Sequence, residues 1–466
     1  MAREIIPTHQ KAVQINMDAA VYGAFAEIGA GQEVARWFFR VGGAAGTIAK
    51  TISAYDMKVS DALYGPAERY VSRQRLHKML DHEYGLVIER LQATRGATTR
   101  FFAFADTAAA RGYKRLDECH TWMGIRFQTQ PDTAPSDIII HVRMLDVETV
   151  DQQEAVGIIG VNLVYGAAYL HDDPHTLISS LMDNLTRGHV EVDMIKFSGP
   201  CFQNVDNRVM SLELVEQGLA NSAMFTANGE VVQAAEVLYK KPILVERGSF
   251  RPITRVTLDM LNCAQAMFVQ EPAVRGEEVV VLMEMTLKNL TDDGVIDHRD
   301  FLDRVDLLGS LGKTVLISNF AEHHRLAAYL FHYTKKMIGL VMGVPTLREI
   351  FDEKYYTDLE GGILESFGRL FKNDLKLYVY PYQDATTGSI ITAGNLLVAP
   401  NLRHLYSYLV ENLHIQALRD YNEAALPILS REVLKLIKAG DPSWLVMVPP
   451  QAAQIIRDRK LFGYHE

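Results

Sequence analysis

From about residue 137 onward, short runs dense in Val, Ile and Leu alternate with segments whose apolar positions recur every three to four residues. The runs are "DIIIHVRML", "GIIGVNLVY", "VEVDMIKF", "PILVERG", "EEVVVLMEM", "KTVLIS", "MIGLVMG" and "LKLYVYPY". Apolar residues at successive positions suit strands covered on both faces, and their alternation with helices predicts an α/β fold. The expected architecture is a mostly parallel, doubly wound sheet; a closed barrel satisfies the same pattern, because strand order is not written in one sequence. Asp173 and Pro174 in "DDPHTLISSLMDNL" predict an N-cap and first helical residue, and Gly312 predicts the end of the helix in "DHRDFLDRVDLLGSLG".

The first hundred residues read as mostly helical, leading into strands "RFFAFADT" and "MGIRFQTQ" and the linker "QTQPDTAPSD". After residue 395 the tail reads as helices. The expected division is a helix-rich region over 1–130, α/β sheet domains over 131–385 and a helical region over 386–466.

Two clusters of small residues lie within 27–51. Val34, Phe38, Val41, Ala45, Ile48 and Ile52 form a helical stripe through "GGAAG", which predicts one helix with a glycine-lined contact face. A phosphate-binding P-loop is excluded there, since Ala44 and Ala49 precede Lys50-Thr51 where glycines belong. Gly29-Ala30-Gly31 comes directly before that helix, after the strand candidate "VYGAFAEI", and would aim backbone N–H groups at an anion.

Composition narrows the class. At 466 residues, two or three domains are expected, and 48% hydrophobic with 22% charged residues is ordinary for a folded globular chain. A net charge of -10 argues against a nucleic-acid partner. Cys119, Cys201 and Cys263 are odd in number and widely spaced, as expected of reduced thiols in the cytoplasm. The longest uncharged apolar stretch, 155–170, holds Asn162 and falls short of the roughly 18 to 20 residues that span a bilayer, and the N-terminus lacks a secretory pattern, so no membrane association is expected.

The richest polar segment is "YKKPILVERGSFRPITR": a strand flanked by Lys240 and Lys241 and followed by Glu246, Arg247, Ser249, Arg251 and Arg255. Ligands of open α/β sheets collect beyond the carboxyl ends of strands, and guanidinium forks suit phosphate or carboxylate. An anion-binding loop and a structural Arg/Glu network are equal readings. The layout "VVVLMEMTLKNL…KTVLISNF" resembles the haloacid dehalogenase phosphatase superfamily, with Ser318 and Asn319 ending the later strand; Leu282 stands where that family has its nucleophilic aspartate, so aspartyl-phosphate chemistry is not implied. His323, beside His324 just past that strand, is a candidate acid or base, and Cys201 past "VEVDMIKF" reads as a packed thiol.

The stretches "YGAFAEIGAGQEVARWFFRVGGAAGTIAKTISAYD", "YKKPILVERGSFRPIT" and "DLEGGILESFGRLFKNDLKLYVYP" resemble a widespread bacterial family of similar length, matched from end to end, whose members carry conflicting names, among them TonB-dependent receptor and nicotinate-nucleotide adenylyltransferase. The second name is compatible with an α/β nucleotide-binding sheet, although the adenylyltransferase GxFxPxHxGH motif is missing; the first conflicts with the βα pattern. The resulting expectation is a cytosolic homo-oligomer that binds a nucleotide or phosphorylated metabolite, with nucleotidyl or phosphoryl transfer as the reaction class. Lys241, Arg247, Ser249, Arg251, Ser318 and Asn319 would hold the anion, with Gly29 and Gly31 supplying backbone donors. Glu246, Glu284 and His323 would serve the chemistry, with Glu246 or Glu284 holding Mg²⁺ or acting as the base. The alternative is a non-catalytic homo-oligomeric scaffold.

Overall fold

Val, Ile, Phe and small residues dominate Val21–Gly29 (β1), Ile48–Ala54 (β2), Arg100–Ala109 (β3), His120–Phe127 (β4), Ser136–Met144 (β5) and Val190–Ser198 (β6), which form a six-stranded sheet in the order β2-β1-β3-β4-β5-β6. The computed structural model describes residues 3–111, 119–292 and 294–465. This sheet belongs to the first of two compact units, which meet at Ala223 and Met224, inside the 131–385 segment that the sequence pattern groups together. β2, β1 and β3 are parallel, whereas β3 to β6 run antiparallel, so the sheet is mixed instead of mostly parallel. The linker over 128–135 joins β4 to β5 without a helix, and a connection that short can only return the chain antiparallel.

Thr8–Asn16 (α1), Val34–Arg40 (α2), Arg73–Arg95 (α3) and Thr149–Tyr169 (α4) cover the sheet. Phe25 packs on Phe38 of α2 from one face, and Ala24 and Ala103 meet Tyr84 and Val87 of α3 on the other. "GIIGVNLVY", expected as a strand, is the middle of α4. An unbroken apolar run marks a buried strand and a buried helix alike; here it continues on both sides into a run too long for a strand. Its glycines admit α2: a Cβ at Gly160 would stand 2.3 Å from Val34 Cγ2, and one at Gly157 3.0 Å from Trp37 Nε1. Asn162 is buried in α4, accepts from Lys11 Nζ at 2.8 Å and donates to the Leu181 and Asp183 carbonyls, which ties α1 to α4.

The single helix expected through "GGAAG" is two elements. α2 stops at Arg40, Gly42 and Gly43 both sit at φ +79°, and the chain re-enters the sheet as β2. Two left-handed residues cannot continue a right-handed helix, and the helical spacing of Ala45, Ile48 and Ile52 is a coincidence of a short turn followed by a strand.

The second sheet contains Ser222–Phe225 (β7), Val231–Val232 (β8), Ile243–Arg247 (β9), Val280–Thr286 (β10), Thr314–Ser318 (β11), Ile338–Gly343 (β12), Leu375–Tyr380 (β13) and Ile415–Ala417 (β14), in the order β14-β13-β12-β9-β10-β11-β7-β8. The pairs from β14 through β9 to β11 are parallel, and β8 is antiparallel to β7. From β9 the chain steps outward to β11, crosses back to β12 and steps outward again to β14, the strand order of a doubly wound sheet with its switch point between β9 and β12. Helices lie on both faces, as expected. His323–Tyr333, Gly362–Leu370 and Arg403–Glu411 contribute Leu330, Phe367 and Leu409 to one apolar cluster with Val245 and Leu340. Arg255–Phe268 packs on the other face, Phe268 against Tyr378. Asp173 caps its helix by accepting from Thr176 N, and Gly312 sits at φ +73°, as the sequence predicts. Helices Ser430–Ala439 and Pro450–Arg459 make the C-terminal region helical. Among the described residues, no helix is long and apolar enough to cross a membrane.

Candidate functional site

Two strands that otherwise carry no acid each hold one at their carboxyl end: Glu27 in β1 and Asp106 in β3. The parallel register places Glu27 directly opposite Asp106, with Ser53 of β2 on the other side of Glu27. Residues in register project to the same face of a sheet. That is the α2 face, since Phe25, two residues before Glu27, packs on Phe38. Glu27 is 4% exposed and Asp106 0%.

Glu27 accepts hydrogen bonds from the Val34 amide at 2.8 Å and the Ala35 amide at 3.3 Å. α2 has no side-chain cap of its own, so this carboxylate satisfies amides that the first turn of a helix leaves free. The helix-start amides that do face a carboxylate are those of Val34 and Ala35, and the group they face is the chain's own Glu27. Gly29 and Gly31 serve geometry. Gly29, at φ +74°, turns the chain off β1, and a Cβ at Gly31 would stand 2.1 Å from Asp106 Oδ1. Gly31→Ala is expected to destabilise the protein by about 1–3 kcal/mol, the usual effect of overpacking, in a urea titration. Unchanged stability would mean that Asp106 has room to turn away.

Burial pushes the Glu27 carboxyl up to about 7; the Glu33 charge adds to this, and the amides of Val34 and Ala35 oppose it. Burial, with the Glu27 charge second, holds Asp106 well above the ordinary aspartate range, and the Ile28 amide opposes only in part. Among the described residues, neither Asp106 oxygen has a well-formed hydrogen bond.

Glu27 lines an open cavity of about 490 Å³ between α2 and β2. Thr51 and Ser53 bring hydroxyls to its wall, Phe39 and Ile52 apolar surface, and Arg36 and Arg40 positive charge. Arg36 is paired with Glu33 at 2.9 Å. Arg40 stands over the Trp37 ring, 5.5 Å from its centroid, and has no carboxylate partner among the described residues. A carboxyl poised near neutrality can take or release a proton, and a guanidinium without a partner suits phosphate or carboxylate.

The second unit brings four of the sequence-predicted residues together. Arg247 grips Glu284 through Nε and Nη2 at 2.8 and 2.9 Å and donates from Nη1 to the Ala321 carbonyl; Ser318 donates to Glu284 Oε1 at 2.6 Å. His323 lies close by, and burial first, then the Arg247 charge, hold its pKa well below the ordinary histidine value. The other predicted residues lie elsewhere. Glu246 is buried and, as the neighbour of Arg247 in β9, points to the opposite face of the sheet; burial raises its pKa well above the carboxylate range, and among the described residues Oε2 has no hydrogen-bond partner. Lys241 precedes β9, at the end remote from Arg247, and pairs with Glu278 at 2.7 Å. Arg251 pairs with Asp300 at 2.7 Å, Ser249 gives its carbonyl to Arg304, and Asn319 is exposed just past β11.

Arg247 and Arg251 balance carboxylates of the same unit, Glu284 and Asp300, and a buried Glu284 without a counter-charge would be strongly disfavoured. The oxygens of Glu284 are taken up by Arg247 and Ser318, and Glu246 faces the other side of the sheet. Sequence reasoning passed over Glu27, Asp106 and Arg40. The available signal was an acid standing alone in an apolar run, once in "VYGAFAEIG" and once in "RFFAFADTAA".

No protein-family model matches this chain, and no curated protein does. Solved structures similar to part of it include the competence/damage-inducible protein CihA from Agrobacterium tumefaciens, at TM-score 0.26 and 14% identity over 35% of this chain and 97% of that one. A competence-damaged protein (CinA) superfamily protein from Enterobacter cloacae matches at TM-score 0.25 and 12% identity over 36% and 98%. A provisionally named nicotinate-nucleotide adenylyltransferase from Vibrio parahaemolyticus matches at TM-score 0.21 and 12% identity over 48% and 95%.

Proposed function

We propose that the protein binds a small anionic molecule, a nucleotide or phosphorylated metabolite, in the cavity between α2 and β2, and acts on it by acid–base chemistry through Glu27. The observation that carries this reading is a carboxyl held near 7 on the wall of a cavity of about 490 Å³. Arg40 supplies the matching cation and the hydroxyls of Thr51 and Ser53 supply neutral hydrogen-bonding partners. In a nucleotidyl or phosphoryl transfer, Glu27 would take the proton of an acceptor hydroxyl as its oxygen bonds to phosphorus, while the bond from phosphorus to the leaving phosphate oxygen breaks and its electron pair departs with that phosphate.

A thermal-shift screen of nucleotides and phosphorylated metabolites tests it. Ligand at a hundredfold excess over Kd should stabilise the wild type by about 2.7 kcal/mol. Arg40→Ala is expected to weaken binding by about tenfold or more, the loss of a charged hydrogen bond, with little change in the stability of the free protein. Equal affinity in wild type and Arg40→Ala would place the ligand elsewhere.

A further inference from the structure

We infer that Glu27 and Asp106 act as one two-carboxyl unit that never loses its last proton in the neutral range, with Asp106 as the permanent bearer of that proton and Glu27 as the member that exchanges a second one with the cavity. The role given to Glu27 rests on the proposed function; the proton count does not.

The geometry leaves little alternative. The two side chains stand side by side in adjacent parallel strands, on one face, below α2. Among the described residues packed around them, α2 brings Glu33, paired with Arg36, and Arg40, the two arginines lining the cavity on the Glu27 side, while the residues set against Asp106 are neutral: Gly31, and Met123 of β4 in register with it. Among the described residues, the charge that acts on Asp106 is that of Glu27. Two adjacent carboxylates in a low-dielectric interior cannot both ionise, so one proton stays with the pair. Its location follows from the surroundings. Glu27 accepts two amide hydrogen bonds and reaches the cavity, both of which favour its anion. Asp106 is wholly enclosed, against the backbone of Gly31, with no well-formed hydrogen bond to stabilise a charge.

Asp106 is in this reading a positioning residue. Protonated, it has a hydroxyl to offer the Glu27 carboxylate, so that Glu27 keeps its orientation each time it gives up its proton. No net atoms are consumed: a proton moves from ligand to Glu27 and back, and the Asp106 O–H bond persists.

The test is a ¹³C NMR titration of side-chain carboxyls on the ligand-free, full-length protein. In the wild type one aspartate should keep its proton far above the ordinary value of about 3.9. That signal should vanish in Asp106→Asn, while Glu27 still titrates near 7. Asp106→Leu, neutral but without a donor, should move the Glu27 midpoint upward relative to Asp106→Asn. An Asp106 signal that titrates in the ordinary range overturns the inference, and this wild-type measurement stands even where a variant fails to fold. Identical Glu27 midpoints in the Asn and Leu variants overturn the donor role. A protein that binds no anion but shows the persistent proton would contradict the proposed function alone.

Discussion

Glu27→Gln is expected to make the protein more stable at alkaline pH and to remove the acid–base chemistry proposed for this carboxyl. The native state raises this carboxyl from 4.5 to about 7. A raised pKa means that the folded protein holds a proton the unfolded chain has already released, so this contribution is fully present below about 4.5 and is lost as pH rises through about 7. At about 1.4 kcal/mol per pKa unit, the loss approaches about 3 kcal/mol. Glutamine keeps a carbonyl for the amides of Val34 and Ala35 and carries no charge to bury. Urea titrations at a series of pH values should show the wild type losing stability across that window and the variant staying flatter and ending more stable. With the cavity's ligand in hand, the same substitution should lower turnover by about 10² to 10⁴, the usual worth of a general acid or base. A variant less stable than wild type at alkaline pH would mean that Glu27 is chiefly a helix cap, valued as an anion.

Asp183→Ala carries the largest expected loss of stability. Lys11 is 0% exposed, and its ammonium meets Asp183 Oδ2 at 2.7 Å and Asn162 Oδ1 at 2.8 Å. Burial pulls the Lys11 pKa down and Asp183 holds it up. Arg3 pairs with the other oxygen of the same carboxylate. Removing Asp183 leaves a buried ammonium without its counter-ion, a change that costs about 3–5 kcal/mol. Replacing both Lys11 and Asp183 by apolar residues of similar volume should recover most of that, because the pair's desolvation penalty disappears with it. The loss reaches the candidate site indirectly: Lys11 anchors α1 to α4, and α4 is the surface on which α2 rests. Chemical denaturation of the single and double variants measures both effects; a single-variant loss below about 1 kcal/mol would show that water reaches Lys11.

The second unit was the more legible in sequence. Its strands read as dense β-branched runs between capped helices, and such runs predict a parallel sheet with little ambiguity. The first unit misled at two points for the same reason: periodicity reports burial, not conformation. Residues 157–165 are buried on all sides in a helix, and 41–52 mimic a helical stripe while Gly42 and Gly43 break it. The candidate site was half legible. Gly29 and Gly31 pointed to the right turn, but the meaning of that turn depends on Glu27 and Asp106, which lie 79 positions apart and meet only through strand pairing. Arg247 and Arg251 were conspicuous because charge is easy to see in sequence, whereas the carboxylates that neutralise them, Glu284 and Asp300, are identified only by the fold.

Amide hydrogen exchange across the full chain, with and without a stabilising nucleotide or phosphorylated metabolite, tests the placement of the site most directly. Protection should centre on α2, β2 and the end of β1, and should be lost in Arg40→Ala. Protection centred instead on Arg247, Ser318 and His323, with the N-terminal unit unchanged, would contradict the account.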